Sequence, residues 1–383
     1  MVVKLGDICS FQSGGTPSRR NPEYFSGNIP WITTTALNGK KIGRNDAVAL
    51  ITEQAVAESA AKIVPAGSIM VGTRVGVGKV AINTEVMSTS QDIISLLNID
   101  ENVWDKEFLC KFLQSKSSFL NSQARGATIK GIKIDVLSEL DLPVMSKEEQ
   151  THISEIVDNV KKLISIRQQQ LQKLDELVKA RFVEMFGDTV LNPFGWEKAL
   201  LGTVCDVRDG THDSPSYYET GYPLVTSKNV SSGKINLTDC SLICESDFKK
   251  INERSKVDIG DIIMPMIGTI GKPVIVDIEP NFAIKNVALI KFKDSSRVLN
   301  AYVRALLMSD YFEDAVLSKV RGGTQKFISL GDIRKLCVIV PPMEKQEQFV
   351  IFVNQVDKSK VAVQKSLDKA QLLFDSLMQQ YFG

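Results

Sequence analysis

Hydrophobic positions along the chain fall into two long helical stripes, each preceded by a stretch of mixed pattern. After Pro341 and Pro342, apolar or small residues recur at Phe349, Phe352, Val356, Val363, Leu367, Ala370, Phe374, Leu377 and Tyr381. With Lys360 included, the steps alternate between three and four, the spacing of a coiled-coil seam. A second stripe follows Pro143 through Ile153, Ile156, Val160, Leu163, Leu171, Leu174, Leu177 and Met185, with Arg167 interrupting it as Lys360 interrupts the other. Each helix is expected to run about 40 residues and roughly 60 Å. Neither can hide its own stripe, so the simplest solution packs one against the other. For Arg167 and Lys360, register setting or snorkelled surface charge is a simpler role than partner contact.

The stretches before the stripes read as α+β. Short runs such as Ser68-Ile69-Met70-Val71, Asp92-Ile93-Ile94-Ser95-Leu96-Leu97 and Asp261-Ile262-Ile263-Met264, bounded by Gly, Pro and Asn, predict strands. Helical patterns are predicted near Lys106–Asn121 and Ala301–Leu317.

The chain is also written twice. Leu5-Gly6-Asp7-Ile8-Cys9 returns as Leu201-Gly202-Thr203-Val204-Cys205, and Arg125-Gly126-Ala127-Thr128 returns as Arg321-Gly322-Gly323-Thr324, both at an offset of 196. Gly78-Lys79 matches Gly271-Lys272 more loosely, and the stretch from Leu142 to Gln150 matches Val340 to Gln348 at an offset of 198. Four matches in one order indicate duplication. The order globule, helix, globule, helix then predicts an antiparallel helix pair, with turn chemistry from Gly187 to Gly195 returning the chain. The expected parts are 1–145, a helix over 146–186, 187–343, and a helix over 344–383. The two globules form a pseudo-twofold tandem repeat separated by the helices.

Composition adds mainly exclusions. Hydrophobic residues make up 43% and charged residues 24%, as in soluble globular proteins, and no uncharged apolar stretch is long enough to span a bilayer. The opening Met1-Val2-Val3-Lys4-Leu5-Gly6-Asp7 lacks the apolar core of a signal peptide, so a cytoplasmic location is expected. Six scattered cysteines with no C-x-x-C pair suit reduced thiols, and packing is the simpler role for Cys240 and Cys244. Lys and Arg number 46 against 45 Asp and Glu, so any basic surface must come from segregating charge, not from excess.

Catalytic readings fail on spacing. The run from Gly72 to Val80 echoes a phosphate loop, but Val80 stands where a magnesium-binding hydroxyl belongs. Asn192-Pro193-Phe194-Gly195 echoes the Asn-Pro-Pro-Phe box of adenine methyltransferases without its second proline, and no glycine-rich S-adenosylmethionine loop follows a strand. A helix-ending turn explains it better. His152 lies at a helix start and His212 in one half only, so a duplicated histidine-based active site is not expected.

The segment from Leu5 to Ser18, followed by Ile29-Pro30-Trp31-Ile32-Thr33, resembles the opening of a target-recognition domain in type I restriction–modification specificity subunits. Asp141-Leu142-Pro143-Val144 with Glu149-Gln150 resembles the entry into that family's central helix. Met185-Phe186-Gly187-Asp188 with Asn192 to Trp196 resembles the exit from it, and Leu377 to Gly383 its ending. The resemblance implies that each globule, as a target-recognition domain, reads one half of a split double-stranded DNA target while the helices fix the unread spacer. It also implies that two modification subunits, carrying S-adenosylmethionine, methylate adenine, and that restriction subunits can join. No cofactor is expected on this chain and no catalysis by it. A self-contained methyltransferase–endonuclease and a coiled-coil scaffold without a DNA role are the alternatives.

Glycine- and hydroxyl-rich loops with Arg, Lys and Asn suit phosphate and base-edge contacts. The candidates in the first half are Arg19, Arg20, Thr34, Asn38, Lys40, Arg74, Lys79, Gln91 and Arg125. Those in the second are Arg208, Thr211, His212, Lys228, Asn229, Lys272, Asn286, Arg321, Gln325 and Lys326. The halves diverge at these loops (Ser13 to Arg20 against Asp209 to Pro215), so the two half-sites are expected to differ.

Overall fold

The computed structural model describes residues 2–126, 131–231, 233–266, 272–293, 295–312 and 327–383. They form two compact units, one from 1–167 with 366–383 and the other from 168–365.

In the first unit a five-stranded sheet runs in the order Ser10–Ser13, Ile93–Leu97, Ile69–Gly72, Val80–Asn83, Lys41–Ile42. Its central strands read as apolar runs because both faces are covered. Helix α1 (Lys106–Ser115) lays Phe108, Leu109, Phe112 and Leu113 against Ile69, Val71, Val80, Ile82, Ile94 and Leu96 in one core. Asp105 caps α1, its carboxylate accepting from the Phe108 N–H at 2.7 Å. In the second unit the matching sheet is Asp206–Asp209, Val287–Lys291, Ile262–Pro265, Val274–Ile275. Each unit carries a second, smaller sheet, of four strands in the first and three in the second.

Two helices of 40 residues follow the repeat: α2 (Lys147–Phe186) and, after α3 (Glu245–Ser255) and α4 (Asn300–Leu307), α5 (Met343–Phe382). A capping box starts α2: the Ser146 hydroxyl accepts from the Glu149 N–H at 3.2 Å, and the Glu149 carboxylate accepts from the Ser146 N–H at 2.9 Å. Gly187, at φ +78°, ends it, its N–H donating to the Val183 carbonyl at 2.8 Å. Within the second unit Lys360 pairs with Asp175 at 2.6 Å, the Arg181 guanidinium lies over Phe352, and Phe182 meets Phe349 edge-on. Numbers rise along α2 as they fall along α5, so the helices are antiparallel. The first unit shows the same sense, with Lys161 over the Phe374 ring and Ile153 sharing a core with Phe382.

The buried face of α2 keeps Ile153 and Val160 of the expected stripe but departs from it elsewhere. Leu163 and Leu177 are exposed, while Val157, Phe182 and Phe186 are buried. A 3.6-residue turn drifts against a strict three–four alternation, so the contact line shifts by one residue along the helix. The stripe expected on α5 holds better: Phe349, Val356 and Ala370 are buried.

The structure corrects the repeat alignment at the helix entry. Strand pairing sets Val3 against Leu142 and Ala199 against Val338, which keeps the offset at 196 where the matched strings suggested 198. Gln150 therefore corresponds to Gln346, not Gln348. The Gln150 side chain accepts from the Asp105 N–H at 2.9 Å and donates to the Val103 and Met145 carbonyls. Gln346 accepts from the Leu299 N–H at 2.9 Å and donates to the Arg297 and Pro341 carbonyls. A shared proline had drawn the strings together by two residues. The helix expected near Lys106–Asn121 breaks at Lys116, whose ammonium turns to the Phe382 carbonyl at 2.5 Å. The run expected over Ala301–Leu317 begins as α4, and residues from 313 lie outside the described residues.

Each core is closed by the end of a long helix. Phe382 contacts Phe108 at 5.2 Å between ring centroids, and Phe186 contacts Tyr302 at 4.9 Å. Phe382→Ala is expected to cost the first unit about 3–5 kcal/mol, read by urea unfolding monitored near Trp104, which shares that core. Leu372→Ala, at a position 72% exposed, should stay within about 0.5 kcal/mol. Equal effects would refute the closure.

Candidate nucleic-acid interface

The matched first strands of the two main sheets, Ser10–Ser13 and Asp206–Asp209, each run out into a glycine-led loop. The Gly14 N–H donates to the Ile93 carbonyl at 3.0 Å and the Gly15 N–H to the Thr89 carbonyl at 2.8 Å. In the second unit the Gly210 N–H donates to the Val287 carbonyl and the Thr211 N–H to the Ile284 carbonyl, both at 3.0 Å. A Cβ on Gly14 would run into the Ser90 and Thr89 carbonyl oxygens, and one on Gly210 into the Ile284 carbonyl oxygen. Glycine is required at both because the loop presses directly on the neighbouring backbone. The two loops are one framework written twice.

Different side chains occupy equivalent places on that framework. Thr16 hydrogen-bonds Gln91 in the first unit. Where Thr16 stands the second unit has His212, and where Gln91 stands it has Asn286, at φ +55°. His212 Nδ1 lies 2.9 Å from Asn286 Oδ1, and its Nε2 lies 2.9 Å from Asp209 Oδ2. The Arg254 guanidinium, from the last turn of α3, bonds the other Asp209 oxygen. Burial pushes the Asp209 carboxyl up, but Arg254 and His212 outweigh it and leave it below the usual carboxylate range. The Asn286 and Asp209 oxygens raise His212 above its ordinary value.

Around the first loop, several candidates are linked through backbone. The Thr73 N–H donates to the Asp92 carbonyl, the Ile132 N–H donates to the Thr73 carbonyl, and Arg125 bridges Gly131 in both directions. Gln91, Arg74 and Arg125 thus belong to adjoining loops, with Lys79 on the same hairpin as Arg74. Arg74 reaches toward Asp92 at 3.9 Å and is half exposed. Arg19 and Arg20 are exposed farther along the glycine loop.

Other candidates fall elsewhere. Thr34 is buried, at 4% exposure, with its methyl beside Gly72. Asn38 is spent on a turn, accepting from the Lys40 N–H at 3.0 Å, and Lys40 lines a cleft with Glu107, Lys111, Asp158 and Lys161. Asn229 is also buried: its Oδ1 accepts from the Thr226 N–H and hydroxyl, and its amide donates to the Asn236 carbonyl. The Arg208 guanidinium is held by Asp206 Oδ2 at 2.7 Å and by the Arg254 carbonyl at 3.0 Å. Thr34 and Asn229 are therefore placed as packing and capping groups, while Arg208, 37% exposed, is paired within its own unit. A hydroxyl or amide in a polar loop suits a cap as well as a DNA contact, and their strings cannot separate the two. Lys228 and Lys272 are exposed, while Arg321, Gln325 and Lys326 lie outside the described residues.

Sequence reasoning missed Asp209, Arg254 and Lys285. The Lys285 ammonium donates to the Ser214 hydroxyl at 2.6 Å and so ties the second loop's far side. Exposed Tyr217 and Tyr218 follow that loop, an aromatic pair in a hydroxyl-rich stretch that could have been noticed. Arg254 comes from a helix 45 residues away, with no local signal. Among the described residues no group of three or more His, Cys, Asp or Glu is placed to hold a metal, and no helix is long and apolar enough to cross a membrane.

The model of the type I restriction modification DNA specificity domain matches residues 1–176 and again 193–372. The chain is 28% identical to the MjaIX specificity subunit of a type I restriction enzyme from Methanocaldococcus jannaschii, over 98% of this chain and 91% of that protein. It is 25% identical to the MjaVIII specificity subunit of the same organism, over 93% and 85%. Among solved structures, a chain from a study of complex assembly and conformational transition in the type I R-M system superposes with a TM-score of 0.63 at 18% identity, covering 100% of this chain and 97% of that one. The type I S subunit from M. genitalium superposes with a TM-score of 0.56 at 16% identity, covering 100% and 96%. Two tandem copies of one α+β recognition fold, each with its long helix, account for both matches to the family model, and the chain belongs to the type I restriction modification DNA specificity family.

Proposed function

We propose that this chain reads a bipartite, asymmetric double-stranded DNA target for a type I restriction–modification complex. The observation that carries this reading is the pair of equivalent loops, with one backbone pattern and different side chains, Thr16 with Gln91 against His212 with Asn286. A duplicated reader with identical loops would read identical half-sites; these loops carry different side chains on one backbone pattern, and so set different surroundings for the residues that face the duplex. The recognition parts are 1–145 and 187–343, and the helical parts 146–186 and 344–383. Arg19, Arg20, Arg74, Lys79, Gln91 and Arg125 serve the first half-site. Thr211, Lys228, Lys272, Arg321, Gln325 and Lys326 serve the second, joined by Lys285, Tyr217 and Tyr218.

Methylation and restriction belong to partner subunits, with S-adenosylmethionine on the modification subunits and the assembly working in the cytoplasm. Two modification subunits fit a duplicated chain. Supporting this, Leu177 and Leu373, 196 residues apart, are equivalent positions on α2 and α5, and they are 46% and 48% exposed. An apolar side chain left out at the same place in each copy suits two copies of one partner.

Sequencing of methylated adenines in the host, with and without this chain, should return a split site with unlike halves. An uninterrupted palindrome would overturn the reading. With a duplex carrying that site, Arg125→Ala should weaken binding about tenfold and lower the salt slope by about one. Leu177→Glu combined with Leu373→Glu should abolish co-purification of the modification subunit while leaving the helical content unchanged.

A further inference from the structure

By residue type and loop position His212 suits a DNA contact, yet its ring has no polar atom left to make one. Nδ1 faces Asn286 Oδ1 and Nε2 faces Asp209 Oδ2, each at 2.9 Å. Both partners present oxygen, and only the doubly protonated ring donates to both. We propose that His212 is a positioning residue, an imidazolium bridge between Asp209 and Asn286 that holds the 210–214 loop in its DNA-reading shape, so that recognition by the second unit depends on pH and recognition by the first does not. The proposal rests on the DNA-reading function argued above.

Three features support the bridge. The Asp209 side chain is only 11% exposed, so its charge needs cationic partners, and Arg254 and His212 take one oxygen each. Asn286 is held in a left-handed conformation, and its N–H donates to the Thr211 carbonyl at 3.2 Å, so the ring joins two strands of backbone already tied together. The equivalent place in the first unit holds Thr16 and Gln91, neither of which titrates near neutrality.

The surrounding charges decide the sign. The loop itself supplies Asp209 and Asp213; α3 supplies Arg254 together with Asp247 and Lys250 along the adjoining cleft; and Lys285 precedes Asn286 but is committed to Ser214. Asn286 and Asp209 favour the proton, Arg254 opposes it, and the balance lies above the ordinary histidine value. The stabilisation is therefore complete at acidic pH and is lost as pH rises through this raised value. On deprotonation the Asn286 amide must turn to offer its N–H₂, and the bond to Asp209 falls from charge-assisted to neutral, worth about fivefold in binding.

The chain has only two histidines, which makes the test direct. Histidine-labelled full-length chain is titrated by NMR, with His212→Gln identifying the resonance. The His212 midpoint should lie above about 6.5, fall in Asp209→Asn and rise in Asn286→Asp. A midpoint at or below the ordinary value, in wild type, removes the bridge. Asn286→Leu should lower the midpoint if Asp209→Asn fails to fold. Binding is then measured between pH 6 and 8.5 for the assembled complex on a duplex carrying the methylated site found by sequencing, and on duplexes with either half-site scrambled. Wild type should lose about fivefold more affinity than His212→Gln, and only where the half-site read by the second unit is intact. A raised midpoint with no such difference would remove the positioning role. Absence of sequence-preferring binding at every pH would overturn the DNA reading itself, an outcome distinct from the titration.

Discussion

Covering the apolar face of a long helix is the constraint on which the rest depends. A 40-residue amphipathic helix gains little from propensity alone and is stable because its stripe is buried. In each unit the start of one long helix and the end of the other complete the core beneath the main sheet: Ile153 and Val157 with Phe382 in the first, Phe349 and Val353 with Phe186 in the second. Neither sheet has a finished underside without them. The helices are thus structural members of both units before they are anything else, and the buried Gln150 and Gln346, each making three hydrogen bonds, fix where each helix begins. Leaving such a buried group unpaired costs about 1–3 kcal/mol, so register at the helix entry is strongly specified.

That rigidity beneath is what permits variety above. The glycine loops are held by backbone hydrogen bonds to the next strand, and those bonds do not depend on the residues that follow the glycines. Thr16 can be exchanged for His212 without altering the framework because Gly14 and Gly210 carry the close approach. Net charge near zero is compatible with this arrangement. Carboxylates such as Asp261, 5% exposed and paired with Lys291, and Asp209, 11% exposed and paired with Arg254, are bound within the framework. Charge composition counts such groups equally with surface ones, and it therefore says little about what the loops present.

The tandem architecture was legible because periodicity and repetition are properties of the string itself. The stripe on α5 and the repeat at Leu5 and Leu201 survive in the structure. The details that failed depend on geometry the string does not hold. Two prolines, Pro143 and Pro341, aligned by identity although strand pairing sets them two residues apart in the repeat. Leu163 and Leu177 matched the stripe but turned outward as helical drift accumulated. At the loops, Thr34 and Asn229 had the chemistry of contacts and the positions of packing and capping groups, while Arg254 entered from a distant helix. Long-range convergence of this kind leaves no local pattern to read.

Divergence between the units reaches one layer beneath the loops. Strand pairing puts Ser88 and Thr89 against Trp31 and Ile32 in the first unit, and Ala283 and Ile284 against Leu224 and Val225 in the second. The equivalent floor is therefore hydroxyl-bearing in one and wholly apolar in the other, with all four residues buried. The Ser88 and Thr89 hydroxyls have no hydrogen-bond partner among the described residues, and the second unit has no hydroxyl at the equivalent places. The backbone tie above the floor is the same in both units: the Thr89 carbonyl accepts from Gly15, as the Ile284 carbonyl accepts from Thr211. The first loop thus rests on a hydroxyl-bearing floor and is held by backbone together with the neutral Thr16–Gln91 and Trp31–Gly15 hydrogen bonds, whereas the second rests on an apolar floor and adds the charged group of Asp209, Arg254 and His212. Duplicated backbone has been stabilised in two different ways, which is the physical sense in which the two readers, alike in fold, are unequal.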